Sequence, residues 1–405
     1  MSESFAAGLR GGDRPWPSWV DVDLDAVAHN LRSIQGVVGH GCRVAAVVKA
    51  QAYGHGAVMV ARAALEAGAC LLAVARVREG VQLRRAGIAA PILVLGPARG
   101  AEAVEAVEHG LMPTVISVEQ LREFSTAAVS AGRELSFHLK IGTGLNRFGI
   151  ALEEARELLS EARGLAGVRL DGIYSHFATA DESDLSFARE QHRIFAESVA
   201  ALRAEGVEIP TVHMAASAAT MALPESRADM VRLGISLYGV YPATHLKEVV
   251  NLRPALSWHS RIERIFDLAP GDSVGYGRTF LAERAMRVGL VPVGYADGLP
   301  RSHSNRGAVI VNGRRAPLLG RVSMDQCVVD LSEIEGASVF APVVLIGAQA
   351  GETIDIDQFA SLAGTISYEA LTSLGFRVPR VYLRGGSPVA VAHLDDGEIV
   401  EAALR

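Results

Sequence analysis

Cysteine is scarce in this 405-residue chain: Cys42, Cys70 and Cys327 are few, odd in number and far apart. That supports neither a disulfide framework nor a zinc site, and it suits a reducing compartment. Long apolar runs are also missing. Hydrophobic residues make up 49% of the chain, yet no segment reaches the ~18 uncharged apolar residues that a membrane span needs. Positive charge is not in excess either: the formal net charge is −6, which gives no electrostatic reason to expect a nucleic-acid partner. Residues 1–18 hold two arginines with Gly, Ser and Pro but no hydrophobic stretch of the kind a signal peptide has, so they read as a flexible leader. The expectation is a soluble, cytoplasmic protein of two or three domains. Its 21% charged residues are ordinary for a globular chain.

From Trp19 to about Pro242, short apolar runs alternate with amphipathic stretches. Strands are expected over 44–50, 71–75, 91–95, 113–116, 135–141, 168–174, 211–215 and 229–233, with helical patterns such as 56–67, 118–131 and 184–205 following or separating them. Eight strand–helix units in roughly 220 residues fit a (β/α)₈ barrel, with an open doubly wound sheet as the alternative. The segment Trp19–Leu24 reads as a strand outside the barrel and 24–34 as a helix. After about Val250 the runs become short, β-branched and split by Gly, Asn, Asp or Pro, which predicts a mostly-β domain with one helix near 356–363. The expected organisation is therefore α/β, with a leader (1–18), a barrel (19–248) and a β domain (249–405).

The most informative stretch is Ala46-Val47-Val48-Lys49-Ala50-Gln51-Ala52-Tyr53-Gly54-His55-Gly56. A lysine closing a run of small, β-branched residues has little reason to lie there unless it is paired or chemically employed. It could equally snorkel out over a barrel rim, so position alone leaves the two readings balanced. Other polar residues fall after strands in the same way. Lys140 lies in the fifth and Arg147 follows it in Gly142-Thr143-Gly144-Leu145-Asn146-Arg147; His176 follows the sixth, Ser217 the seventh, and Arg232 and Gly234 close the eighth. Barrels place their chemistry at that end of the strands, and often bind phosphate after strands seven and eight. Ser217 and the Gly234-Ile235 step suit a dianion, although a helix N-cap explains Ser217 as well.

These motifs strongly resemble those of alanine racemases, over nearly the full chain from Trp19 to about Tyr382. The resemblance implies a fold-type III enzyme with pyridoxal 5'-phosphate (PLP) bound covalently to Lys49, which also serves as a base. Tyr53, His176, Ser217, Gly234 and Ile235 would hold the cofactor. Arg232 would face its pyridine nitrogen, with His213 hydrogen-bonded behind. Because an arginine cannot give up its proton, that nitrogen would stay unprotonated and the cofactor would be a weaker electron sink. This suits racemisation more than decarboxylation. Read in isolation, Arg232 would be a structural ion pair and each histidine a satisfied polar group.

Racemisation removes a proton from one face of a carbon and returns it to the other, which a base on each face achieves. Tyr276 in Gly275-Tyr276-Gly277-Arg278-Thr279 resembles the family's second base, contributed by the partner subunit of a homodimer; its flanking glycines fit close backbone approach as well as an ordinary turn. The resemblance also implies that Arg147 and the Met324 N–H bind the substrate carboxylate, that Asp325 stands behind Met324, and that Tyr295 lines the entrance. Lys140 matches a lysine carbamylated in many members, which turns a cation into an anion beside Arg147. No metal is implied. The chain departs from the family pattern at Gln51 (usually Asn), Gly142 (usually Asp), Ala216 (often Asn) and Phe376 (often Tyr). The expected activity is interconversion of L- and D-alanine, supplying D-alanine for peptidoglycan. A broad-spectrum or serine racemase, a decarboxylase of the same architecture and a non-catalytic PLP-binding protein are the alternatives.

Overall fold

A computed structural model of the chain describes residues 14–395 and 398–403; residues 1–13, the greater part of the expected leader, lie outside the described residues. Residues 26–52 and 57–253 form one compact unit, and the described parts of 14–25, 53–56 and 254–403 form another.

In the first unit eight parallel strands follow one another around a sheet: β2 (Arg43–Val47), β3 (Leu71–Val74), β4 (Ile92–Val94), β5 (Met112–Val115), β6 (Leu135–Lys140), β7 (Val168–Tyr174), β8 (Val212–His213) and β9 (Met230–Leu233). β9 returns to pair with β2. The last gap, between β8 and β9, is closed by a parallel bridge between Ala216 and Arg232 and by the Arg232 N–H donating to the Ala215 carbonyl at 2.9 Å. The order is that of a (β/α)₈ barrel, not of an open doubly wound sheet. β3 and β4 are short runs of Val, Leu, Ile and Ala buried throughout, and each fully buried Val, Leu or Ile contributes roughly 1.5–3 kcal/mol. Helices with one apolar face alternate with them. The helix Val77–Arg85 is opened by Glu79, whose carboxylate accepts the N–H of Arg76 at 2.9 Å, and Val118–Ser130 by Ser117, whose hydroxyl accepts the N–H of Gln120 at 3.2 Å.

In the second unit β1 (Ser18–Asp23) lies in a twelve-stranded sheet, antiparallel to β10 (Leu256–Arg261) and parallel to β11 (Arg380–Arg384). The expected strand at 19–24 is thus outside the barrel. Residues just before it are held: Arg261 donates to the Trp16 carbonyl at 2.7 Å and the Ser260 hydroxyl to the Pro17 carbonyl at 2.8 Å. The expected helix at 356–363 is present, capped by Asp355 accepting the Gln358 N–H at 2.7 Å and ended by Gly364 at φ 75°. A further helix, Ser367–Thr372, was not expected. Among the described residues no helix is long and apolar enough to cross a membrane.

Candidate active site

Lys49 does not end its strand. β2 stops at Val47, and Lys49 opens a left-handed turn in which Ala50, Gln51, Ala52 and Tyr53 have φ of 50–53°. Each such residue costs an L-amino acid roughly 1–2 kcal/mol, and left-handed residues ordinarily occur singly. Side chains of the helix Val77–Arg85 hold the turn. Glu79 accepts the Ala50 N–H at 2.6 Å while also accepting those of Ala75 (2.7 Å) and Arg76 (2.9 Å). Gln51 donates to Gln82 at 2.7 Å and accepts the Ala57 N–H at 3.3 Å. The Lys49 amine is half-buried and its pKa is lowered, first by burial and then by the charge of Arg147, against an opposing pull from Glu79.

Arg232 is buried on β9. One Nη lies 2.7 Å from His213 Nδ1; the other lies 3.1 Å from His176 Nδ1 and donates to the carbonyls of Ser175 and Met214, both at 2.9 Å. Tyr174 lies under the guanidinium at 5.1 Å. All these partners are neutral, which removes the ion-pair reading of Arg232. Burial brings its pKa down to about 10, so it stays protonated at neutral pH. His213 and His176 are pushed well below the usual imidazole range, first by burial and then by the Arg232 charge.

Lys140, at the end of β6, is buried with its Nζ 5.3 Å from the centroids of both Phe148 and Tyr174. Burial and the charges of Arg232, Arg147 and Lys49 bring its pKa to about 7. Arg147 is exposed, on a loop anchored by the Thr143 and Ser175 hydroxyls at 2.8 Å. The barrel therefore gathers four cationic side chains, and the charges of Arg147 and Arg232 add to burial in lowering the two lysines.

Ser217 is not the N-cap of its helix. It is the first residue of Ser217–Ala222, and the cap position belongs to Ala216, which has no side-chain acceptor to offer. The Ser217 hydroxyl instead accepts the N–H groups of Gly234 (3.0 Å) and Ser236 (3.3 Å), at the start of the 3₁₀ turn Ile235–Tyr238. Ser217, Gly234 and Ile235 thus come together. Gly142 has room for a side chain, since a Cβ there would meet nothing closer than 3.5 Å; nothing in the structure explains the missing carboxylate.

In the second unit Tyr276 lies on the 3₁₀ turn Tyr276–Arg278 and is 72% exposed. Gly275 and Gly277 have φ of 70° and 73°, and a Cβ on Gly277 would come within 2.8 Å of Arg321 Nη1, so the glycines are required. Met324 and Tyr295 are also exposed, at 52% and 44%. Asp325 pairs with Arg377 at 2.8 Å, and Arg377 is fixed in turn by Asp297 at 2.6 and 3.0 Å. Tyr53 is buried, with Tyr368 6.2 Å away, and its phenol is pushed up by burial. Phe376 presents its ring to the buried Arg380 guanidinium at 4.0 Å, and Arg380 donates to the Gly54 carbonyl at 3.0 Å. The ring does the work of a cation–π partner, which needs no hydroxyl.

The donor set of the barrel fits PLP. An amine of lowered pKa, an arginine with neutral partners and a hydroxyl beside two backbone N–H groups suit a carbonyl, a ring nitrogen and a phosphate dianion in turn.

The chain matches the family descriptions "Alanine racemase, N-terminal domain" over residues 22–242 and "Alanine racemase, C-terminal domain" over residues 255–382. It is 42% identical over 371 residues to alanine racemase 2 of Caldanaerobacter subterraneus subsp. tengcongensis, covering 91% of this chain and 96% of that protein. Identity to alanine racemase 2 of Bacillus subtilis is also 42%, over 375 residues, with 91% and 95% covered. The crystal structure of alanine racemase from Bacillus anthracis with bound L-Ala-P superposes with a TM-score of 0.88 at 38% identity, covering 93% of this chain and 98% of that one. Alanine racemase from Streptomyces lavendulae gives a TM-score of 0.87, also at 38%, with 92% and 98% covered.

Proposed function

The chain belongs to the alanine racemase family, whose enzymes depend on PLP, and on that premise we propose that it interconverts L- and D-alanine. The observation that carries this reading is Arg232: a buried, protonated guanidinium at the centre of the barrel, whose hydrogen-bond partners among the described residues are neutral. When bound, PLP supplies a carbonyl that takes up the substrate amine and draws electrons from its Cα. Arg232 is a donor that keeps its proton, so it limits how strongly that charge is withdrawn. Held against the pyridine nitrogen, Arg232 would therefore favour proton return over irreversible chemistry.

The residue roles follow from the chemistry required at Cα. Lys49 Nζ removes or returns the proton on one face, and its lowered pKa makes a neutral amine available nearer neutral pH. The Tyr276 hydroxyl acts on the opposite face, from the partner subunit. Arg147 and the Met324 N–H bind the substrate carboxylate, with Asp325 supporting Met324 through Arg377. Tyr53, His176, Ser217, Gly234 and Ile235 hold the cofactor, and Tyr295 lines the entrance. Exposure of Tyr276, Met324 and Tyr295 supports their service to a second copy of the chain. In this reading residues 19–248 bind the cofactor and residues 249–405 complete the partner's site in a homodimer. Three free cysteines suit the cytoplasm, and the D-alanine product suits peptidoglycan assembly.

The test is a visible absorption spectrum of the PLP-loaded protein with and without L-alanine, followed by chiral analysis of the product across a panel of L-amino acids. D-alanine should accumulate to an equal mixture with alanine as the fastest substrate. Faster turnover of serine or lysine would overturn the substrate assignment, and release of CO₂ would overturn the reaction.

A further inference from the structure

His138 and Asp171 continue the chain of contacts that begins at Arg232. Arg232 Nη1 lies 2.7 Å from His213 Nδ1, His213 Nε2 lies 2.9 Å from His138 Nδ1, and His138 Nε2 lies 3.5 Å from Asp171 Oδ2. The last step is a longer, mainly electrostatic contact. A guanidinium has only donors and an ionised carboxylate only acceptors. The hydrogens between them therefore run one way. Arg232 donates to His213, His213 Nε2–H donates to His138, and the hydrogen left on His138 Nε2, which makes no hydrogen bond among the described residues, lies near the Asp171 carboxylate 3.5 Å away. Both imidazoles are neutral, and the two ends of the chain set their tautomers.

The barrel is shaped around this pair. The register of β6 against β7 shifts between Phe137 and His138. Gly172 faces the His138 ring so closely that a Cβ would come within 2.7 Å of His138 Cε1 and 2.9 Å of the Thr211 carbonyl. The Tyr174 ring stacks on His213 at 4.8 Å and 6°. Both histidines are fully buried, whereas Asp171 lies beside a cavity of about 270 Å³ whose other lining residues include Arg43, Ser136 and Arg169. Those residues sit at or near the starts of their strands, at the barrel end opposite Lys49.

Resting on the racemase reading, we propose that Asp171 and His138 are positioning residues for Arg232. Acting from the opposite mouth of the barrel, they lock His213 into the tautomer that accepts from the guanidinium. Without the Asp171 charge only the Arg232 end of the chain holds the hydrogen of His138 on Nε2. If it moves to Nδ1, His213 must present Nδ1–H to Arg232, and two donors then meet at 2.7 Å.

Nitrogen-15 NMR of the PLP-loaded, histidine-labelled protein tests this directly. In the unsubstituted protein His138 and His213 should both carry their hydrogen on Nε2, unchanged between pH 6 and 8. A hydrogen on Nδ1 of either residue would overturn the proposal without recourse to any variant. Asp171→Asn should give mixed tautomers at both positions, with kcat for alanine reduced roughly tenfold, the scale of a lost hydrogen bond to a charged group, and KM changed less than twofold. Asp171→Glu should restore the tautomers and most of kcat. Unchanged tautomers and kcat in a folded Asp171→Asn protein would also overturn it. The NMR readout requires no turnover, so a protein that failed to racemise alanine would refute the function reading while this one was still judged on its own result.

Discussion

Gln51 Nε2 donates to Gln82 Oε1 at 2.7 Å, joining the turn that presents Lys49 to the helix Val77–Arg85. The pair gives a physical account of the departure at Gln51. A shorter asparagine amide would end one methylene back from Gln82, and the left-handed turn would then rest on Glu79 alone among the side chains of that helix.

Gln51→Ala and Gln82→Ala should each destabilise the chain by about 1 kcal/mol, the net value of one hydrogen bond. The double variant should lose less than the sum, with a coupling of about 0.5–1 kcal/mol. Urea unfolding of the four proteins measures it. Strict additivity would mean that the contact holds nothing.

The barrel was legible because its strands are compact apolar runs at regular intervals, and Lys49 was legible because it interrupts that code. The sequence contains only three lysines, Lys49, Lys140 and Lys247. This scarcity is a signal that could have been used: where arginine serves for charge, lysine at two barrel positions marks a need for a removable proton. The left-handed turn was not legible. Ala50-Gln51-Ala52-Tyr53 contains neither Gly nor Asn, and the conformation is imposed by Glu79 and Gln82, about thirty residues away. Nor could spacing show that β1 pairs with β10 and β11, more than 200 residues downstream. His138 and Asp171 look like ordinary strand residues until the register shift and Gly172 turn the imidazole towards His213.

Acid should unfold this protein early. His138, His176 and His213 all have folded-state pKa values below the ordinary 6.5, chiefly through burial. The unfolded chain takes up protons as pH falls through about 6.5, while the folded chain does not. Stability from these groups is therefore complete above that pH and lost below it, by up to ~1.4 kcal/mol per pH unit for each histidine. Thermal denaturation from pH 7.5 to 5 should show a downturn beginning near pH 6.5. A flat profile would mean that the histidines are charged in the folded state.

Lys140, whose pKa is brought to about 7 by burial and by the charges of Arg232, Arg147 and Lys49, is half neutral near pH 7 and nucleophilic. Attack of its amine on CO₂ forms an N–C bond and releases one proton, leaving an anionic carbamate beside Arg147 and Arg232. Carbon-13 NMR in labelled bicarbonate should show one carbamate resonance that Lys140→Gln abolishes, and the same variant should lose most of its activity. Absence of that resonance in the unsubstituted protein would refute the modification.

Gly294 is a steric requirement for the Met324 loop. A Cβ there would come within 2.2 Å of the Met324 carbonyl oxygen and 2.3 Å of the Ser323 carbonyl oxygen. The loop is otherwise held by the Tyr295 N–H donating to Ser323 and the Ala296 N–H to Met324, at 3.1 and 3.0 Å. Gly294→Ala should push Met324 away, raising KM for alanine and costing roughly 1–3 kcal/mol of stability. Steady-state kinetics alongside thermal unfolding checks both, and an unchanged KM would remove Met324 from substrate binding.

If Lys49 and Tyr276 of one site come from different subunits, inactive variants should rescue each other. Lys49→Ala and Tyr276→Phe homodimers are each expected to racemise alanine poorly, because each lacks one base at both sites. In a hybrid dimer one site lacks both bases and the other has neither substitution: it takes Lys49 from the Tyr276→Phe subunit and Tyr276 from the Lys49→Ala subunit. Random exchange makes half of the dimers hybrid, each with one intact site in two, so activity should approach about one quarter of the unsubstituted level. Mixing the two proteins under dissociating conditions, restoring association and assaying by chiral analysis tests both assignments together. Recovery no better than the sum of the separate variants, with subunit exchange verified by mass, would place both bases in one chain.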